Sequence, residues 1–254
     1  MRSFDGERSR AHVRDIRHAD ISALRQCFDT GARVLEIGGG NGYQASVVAD
    51  WGCIVDSIDI REQASSEPVY HPVRTYDGSH IPYGDGTFDI VYSCAVLEHV
   101  RPLVALLREI RRVLKPGGRG IHIVPSAGWR FWTMAAHYPH LLRRALGVGS
   151  YGSGAPHNAV NAASSVTMRP VWRRILVPGA HGEYPSAVSE LYYFSRRRWR
   201  RVFEQAGFDV VTVHGNHLFY TGYRLFPDLP ATARRYLSFL LGSAGHVFVT
   251  RSSP

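Results

Sequence analysis

The chain has 254 residues, with 30 Lys and Arg against 21 Asp and Glu, for a formal net charge of +9. That length suffices for one large α/β domain with its own core, and no window is long and apolar enough to span a membrane. No N-terminal stretch joins a basic start to an apolar run, so no secretory signal is expected. The three cysteines, Cys27, Cys53 and Cys94, are widely spaced in apolar contexts. They read as reduced core residues of a cytoplasmic protein rather than as a disulfide or metal set.

Residues 7–28 carry Val13, Ile16, Asp20, Leu24 and Phe28 near one helical face, with Arg8, Arg14, Arg17 and Arg25 elsewhere, which predicts an N-terminal helix. Residues 34–42 read Val-Leu-Glu-Ile-Gly-Gly-Gly-Asn-Gly, and helix-compatible residues follow from Tyr43 to Trp51. A buried strand turning sharply into a helix leaves backbone N–H groups facing a ligand, and glycine lets that ligand approach. The next strand, from Ile54, ends at Asp59, where a carboxylate suits a ribose diol. A dinucleotide fingerprint would need a third glycine at position 43, which is Tyr. The spacing that fits is E-x-G-x-G-x-G, from Glu36 to Gly42.

Further along stand Asp77-Gly-Ser-His-Ile-Pro-Tyr-Gly-Asp-Gly-Thr-Phe-Asp89, the strand Ile90 to Ser93, and Cys94-Ala-Val-Leu-Glu-His-Val100. A helix from Leu103 to Leu114 is expected to stop at Lys115-Pro-Gly-Gly118, before a strand from Gly120 to Val124. With these landmarks in this order, residues 32–125 resemble the class I S-adenosylmethionine-dependent methyltransferases. The likeness returns more loosely at 194–214, where an Arg-rich helix is followed by a strand. A final strand is expected at His246 to Arg251.

The resemblance implies an α/β, Rossmann-like class I methyltransferase fold. Its sheet is mostly parallel and seven-stranded, with the last strand antiparallel and a helical and loop insertion after the fifth strand. The whole chain, 1–254, is read as a single domain. Residues 1–31 place a helix over the cofactor pocket and 32–125 form the cofactor-binding core. Residues 126–193 are an acceptor-site insertion or lid, and 194–254 hold the last helix and the C-terminal strands with a helical addition. The implied cofactor is S-adenosylmethionine. By resemblance its contacts fall to Glu36, Gly38, Gly40, Gly42, Asp59, Ile60, Asp77, Gly78, Ser79 and Ser93, while Asp85 and Asp89 shape the turn before the strand.

Methyl transfer from a sulfonium needs alignment and a dry site more than elaborate chemistry, and an oxygen nucleophile often also needs a base. His99, after the fourth strand, is the catalytic candidate; the same dipeptide with Glu98 also serves structural ends. His12, Tyr43, Trp129, His137 and Tyr138 are acceptor-site candidates, although any one of them is more often a packed or surface residue. His122 inside the fifth strand is expected to be satisfied there. His157 and His181 lack partners at metal-ligand spacing, so no metal is expected.

Between Ser126 and Gly207 stand eleven Arg and three acids. The run Arg196 to Arg201 is better explained as the solvated face of an amphipathic helix than as a phosphate site. The aromatic and basic stretch 129–144 suits an anionic, lipid-linked acceptor or the inner membrane face. It is expected to be a lid that can be removed without loss of cofactor binding. The function expected is O-methylation of a small-molecule, glycan or lipid-linked intermediate in a bacterial pathway. The rivals are a nucleic-acid methyltransferase, disfavoured because Ser93-Cys94-Ala95-Val96 replaces a base-flipping motif, and a non-catalytic S-adenosylmethionine-binding partner protein.

Overall fold

The computed structural model describes residues 13–60, 68–145, 178–221 and 229–252. Seven strands form one sheet: β1 (Arg33–Ile37), β2 (Ile54–Asp59), β3 (Arg74–Thr75), β4 (Phe88–Cys94), β5 (Leu114–Pro125), β6 (Phe208–Gly215) and β7 (Gly245–Ser252). Their spatial order is β3-β2-β1-β4-β5-β7-β6. The first five run parallel, and β7 is antiparallel to both β5 and β6. The strand order reverses between β1 and β4, so the crevice of this sheet opens at their C-terminal ends.

Alternation along the strands sorts the core into two faces. Leu35, Val91 and Phe248 pack on one side with α3 (Leu103–Val113) and the Arg-rich helix Arg196–Gln205. Val34, Ile90 and Val247 pack on the other with the N-terminal helix α1 (13–22) and α2 (Tyr43–Asp50). Both faces are covered, which is why the central strands read as near-continuous apolar runs. The insertion after β5 supplies α4 (Ala127–Ala145) and α5 (Ala187–Tyr193); Arg196–Gln205 is α6, and α7 (Ala231–Leu241) precedes β7.

Several boundaries differ from the sequence reading. The N-terminal helix ends at 22 rather than 28, because Leu24 N–H turns back to Ile21 O and Cys27 N–H to Leu24 O, the tighter spacing of a 3-10 turn at Arg25–Cys27. Strand β3 has only two residues, too few to show a period. The fifth strand starts at Leu114, directly after α3, and takes in the Lys115–Gly118 stretch expected to be a turn. Its pairing with β4 shifts between Phe88 and Ile90, so the extra residues form an irregularity at the strand's entry. Helix α5, which carries no strong period in seven residues, was not expected. Its N-cap is a reciprocal Ser186–Ser189 capping box.

Helix α6 is amphipathic. Ser195 Oγ accepts from Arg198 N–H at its start. Trp199, Val202 and Phe203 are buried, while Arg197, Arg200 and Arg201 face solvent. Phe203→Ala is expected to cost about 3–5 kcal/mol of stability, and Arg197→Ala or Arg201→Ala less than about 0.5 kcal/mol, measured by urea unfolding. Equal costs would refute this assignment of the two faces.

Candidate active site

The glycine turn joins β1 to α2. Gly38, Gly40 and Gly42 all have positive φ. At Gly38 a Cβ would lie 2.3 Å from Val96 Cγ2, and at Gly42 it would lie 2.3 Å from the His71 carbonyl oxygen. No larger residue fits either place. The turn is held from β2: Gly38 and Gly39 N–H donate to Ile58 O, and Gly40 N–H donates to Asp59 Oδ2 at 2.9 Å. Glu36 is buried beneath it, its Oε2 accepting from Ser57 Oγ at 2.6 Å. Burial pushes the Glu36 carboxyl up to about 7.

Helix α1 lies across this turn. Gln44 Nε2 donates to Arg17 O at 3.1 Å, and the Tyr43 hydroxyl meets His18 Nδ1 at 3.1 Å. From below, Asp20 on α1 is buried and accepts from the Tyr220 hydroxyl and from Asn216 Nδ2; burial raises its carboxyl to about 6. Beyond β3, Tyr76 N–H donates to Asp59 O, and Gly78 comes so close to Ile60 that a Cβ would lie 3.0 Å from its Cγ2. Asp77 Oδ1 accepts from both Ser79 and His80 N–H at 2.8 Å, and these bonds hold its carboxyl below the usual range.

Strand β4 leaves the sheet through Ala95, a non-glycine residue at φ +54, then Val96, then a 3-10 turn Leu97–His99. Segment 179–184 of the insertion wraps this turn. Glu183 N–H donates to Glu98 O, and the His181 and Gly182 N–H groups both donate to Glu190 Oε1 at 2.7 Å. Glu190 Oε2 is paired with Arg130 Nε at 2.7 Å, their side chains 0% and 4% exposed. The result brings His181 and Trp129 of the insertion together with the Glu98–His99 turn. His99 Nε2 and His181 Nε2 lie 3.8 Å and 3.9 Å from Glu98 Oε1, and Trp129 sits edge-on to the His181 ring at 4.7 Å. Glu98 is 1% exposed, and neither of its oxygens finds a donor beyond its own backbone. Burial raises its carboxyl to about 8 and lowers His181 to about 4.

A family model described as a methyltransferase domain matches residues 9–213. The chain belongs to the class I S-adenosylmethionine-dependent methyltransferase family. Its cofactor is accordingly S-adenosylmethionine. Among curated proteins it is similar to the sterol 24-C-methyltransferase erg6 of Schizosaccharomyces pombe, 32% identical over 40% of this chain and 30% of that one. The demethylmenaquinone methyltransferase of Beutenbergia cavernae is 37% identical over 35% of this chain and 39% of that one. The match spans well under half the length of these relatives. Among solved structures, an S-adenosylmethionine-dependent methyltransferase from Mesorhizobium loti superposes with a TM-score of 0.53 at 18% identity, covering 92% of this chain and 97% of that one.

The methyltransferase fold gathers Glu36, Gly38, Gly40, Gly42, Asp59, Ile60, Asp77, Gly78 and Ser79 along one edge of the sheet, around the crevice. Ser93 is placed differently from the sequence reading. Its hydroxyl is bonded to His122 Nδ1 at 2.8 Å, and the whole residue is buried. His122 is satisfied on one side alone, since its Nε2 has no hydrogen-bond partner; burial lowers it to about 3. His12 and His157 lie outside the described residues. Tyr43 stands at the start of α2 against His18 and Trp129 against the His181 ring, while His137 and Tyr138 pair with each other further along α4. Within the stretch 129–144, Trp129 packs on the core and Arg130 belongs to a buried ion pair. In the sequence Glu190 carries no signal, Arg130 reads only as a basic residue of the aromatic and basic stretch, and His181 has no partner at metal-ligand spacing.

The buried acids make the methyltransferase's stability pH-dependent. The carboxyls of Asp20, Glu36 and Glu98 hold protons more tightly folded than unfolded, which lowers stability as pH rises through their range. The buried histidines His122, His181 and His246 oppose this below their ordinary value of 6.5. Above that value Glu36 and Glu98, raised to about 7 and about 8, still lose protons. Stability is therefore expected to fall between pH 6.5 and about 8, and Glu36→Gln to shallow the slope in urea titrations. A flat or rising profile would contradict it.

Proposed function

We propose that this methyltransferase moves the sulfonium methyl of S-adenosylmethionine to an oxygen of a small-molecule, glycan or lipid-linked acceptor, in the cytoplasm or at the inner membrane face. The observation that carries the reading is the adjacency of two features. Val96 touches the glycine turn, and Glu98 and His99, two and three residues on, meet His181. In this reading the turn and the N-terminus of α2 receive the methionine part, Asp59 the ribose hydroxyls, and Asp77 with Gly78 and Ser79 the adenine, against Ile60. Glu36 steadies the turn from beneath.

Displacement at a sulfonium needs the acceptor oxygen in line with carbon and sulfur in a site closed to water. Helix α1 with Tyr43 closes one side and Trp129 with segment 179–184 closes the other. In this reading the acceptor's proton leaves at the His99 and His181 face, where burial lowers His181 to about 4 and keeps that ring neutral. Exposed Phe131, Tyr138 and Leu142 on α4 favour an acceptor with an apolar part, presented from a membrane face. No helix among the described residues is long and apolar enough to cross a membrane.

Calorimetry should show binding of S-adenosylmethionine and its demethylated product, with no competition from NAD. Asp59→Ala and Asp77→Ala should each lose about 1–3 kcal/mol of that affinity with an unchanged circular dichroism spectrum. His99→Ala should keep cofactor affinity and lower turnover about 10²–10⁴-fold once an acceptor is found from labelled methyl transfer into a metabolite extract. NAD binding without sulfonium binding would overturn the assignment. Cofactor binding with no methyl transfer to any metabolite, lipid or nucleic-acid fraction would favour a non-catalytic partner protein.

A further inference from the structure

We propose that Glu98, His99 and His181 form a binding site for one divalent transition-metal cation of the zinc and cobalt class, placed to hold the acceptor oxygen. The proposal deepens the acceptor-site reading above and rests on it for the acceptor alone; cation binding stands on geometry.

The donor set is one carboxylate and two imidazoles. Imidazole nitrogen selects first-row transition metals, whereas magnesium and calcium sites are built of oxygen. One ligand atom from each residue lies within 4.8 Å of the others. Both Nε2 atoms face the same carboxylate oxygen, at 3.8 Å and 3.9 Å. A tetrahedral zinc ion with ligands at about 2.0–2.2 Å sets them about 3.4 Å apart, so a small rotation of each ring closes the site.

Burial gives the site its direction. Glu98 lies at the bottom with two oxygens that find no donor beyond the residue's own backbone, an arrangement that is costly in itself and is relieved by a cation. The two rings stand at the rim, 39% and 36% exposed. Three protein ligands leave a position open toward the crevice, as in sites where a metal holds a reacting oxygen. An acceptor hydroxyl bound there loses its proton more readily, the proton passing to solvent, and its oxygen is fixed for attack on the methyl carbon.

The positions of the ligands are set by contacts outside the site. Glu98 and His99 are presented by the 3-10 turn that follows β4. His181 is presented by the backbone bonds of its own N–H and that of Gly182 to Glu190, which the buried Arg130 orients. Outer contacts of this kind fix a ligand set before the ion arrives.

The test uses the full chain, stripped with a chelator and dialysed. Titrated with Co²⁺, it should develop visible ligand-field bands that saturate at one ion per chain, and Zn²⁺ should abolish them by displacement. Mg²⁺ should not compete. His181→Ala and Glu98→Gln should each weaken Co²⁺ binding by tenfold or more, and His99→Ala, at the more exposed ring, serves as the variant least able to disturb folding; circular dichroism checks all three. Absence of Co²⁺ binding, or binding that all three substitutions leave unchanged, overturns the proposal. If binding is absent while His99→Ala still loses turnover at native cofactor affinity, the proposed function stands with His99 as a free base. If the cation binds and S-adenosylmethionine does not, the cation site stands and the proposed function falls.

Discussion

The gap between β1 and β4 is the constraint to which the rest of the molecule answers. Strand order reverses there, so the connections from the two strands leave in opposite directions and a crevice stays open between them. β1 leaves through a turn so close to Val96 and His71 that two of its glycines admit no Cβ. β4 leaves through Ala95 in a left-handed conformation. Both exits are sterically demanding, and they set the glycine turn and the Glu98–His99 turn side by side.

Within the insertion the organising group is Glu190. A carboxylate with no exposed surface would be expensive to bury alone. Here one oxygen takes the His181 and Gly182 N–H groups and the other faces Arg130. Three pieces of the insertion, α4, α5 and segment 179–184, are thereby joined through one side chain and laid against the turn after β4. The insertion is thus bound to the turn that follows β4. It carries His181 back to Glu98 and His99, which precede it in the chain by more than a helix and a strand.

The near-symmetry of the two walls follows from the same sheet. Helix α1 is pinned to the C-terminal segment by Asp20 with Tyr220 and Asn216, and it leans on Tyr43 and Gln44 at the start of α2. Each wall depends on a carboxylate buried with specific donors, Asp20 on one side and Glu190 on the other. Polar networks of this kind hold one geometry well when they are satisfied. Glu98, lacking such donors, is the exception at the centre.

The spacing from Glu36 to Gly42, the acid at Asp59 and the Asp77 to Asp89 stretch carried enough local information to define the fold family, the order of the core elements and the cofactor. Each of these is a short-range fact, a strand running into a turn whose backbone demands glycine or an acid. The alternation that placed Trp199 and Phe203 inward and the arginines outward on α6 was legible for the same reason. The chain order alone did not reveal the two-residue β3, the early start of β5 at Leu114, or α5, because each is too short or too irregular to show a period and exists by pairing or packing with distant residues. Nor did it reveal that Ser93 turns inward to His122, which depends on which face of β4 is covered. The meeting of Glu98 and His99 with His181, and the Arg130 and Glu190 pair behind them, was decided by tertiary structure alone. Ligand spacing is readable in sequence only when one helix or loop supplies the ligands; here the sheet's crossover and the folded-back insertion supply them from separate elements.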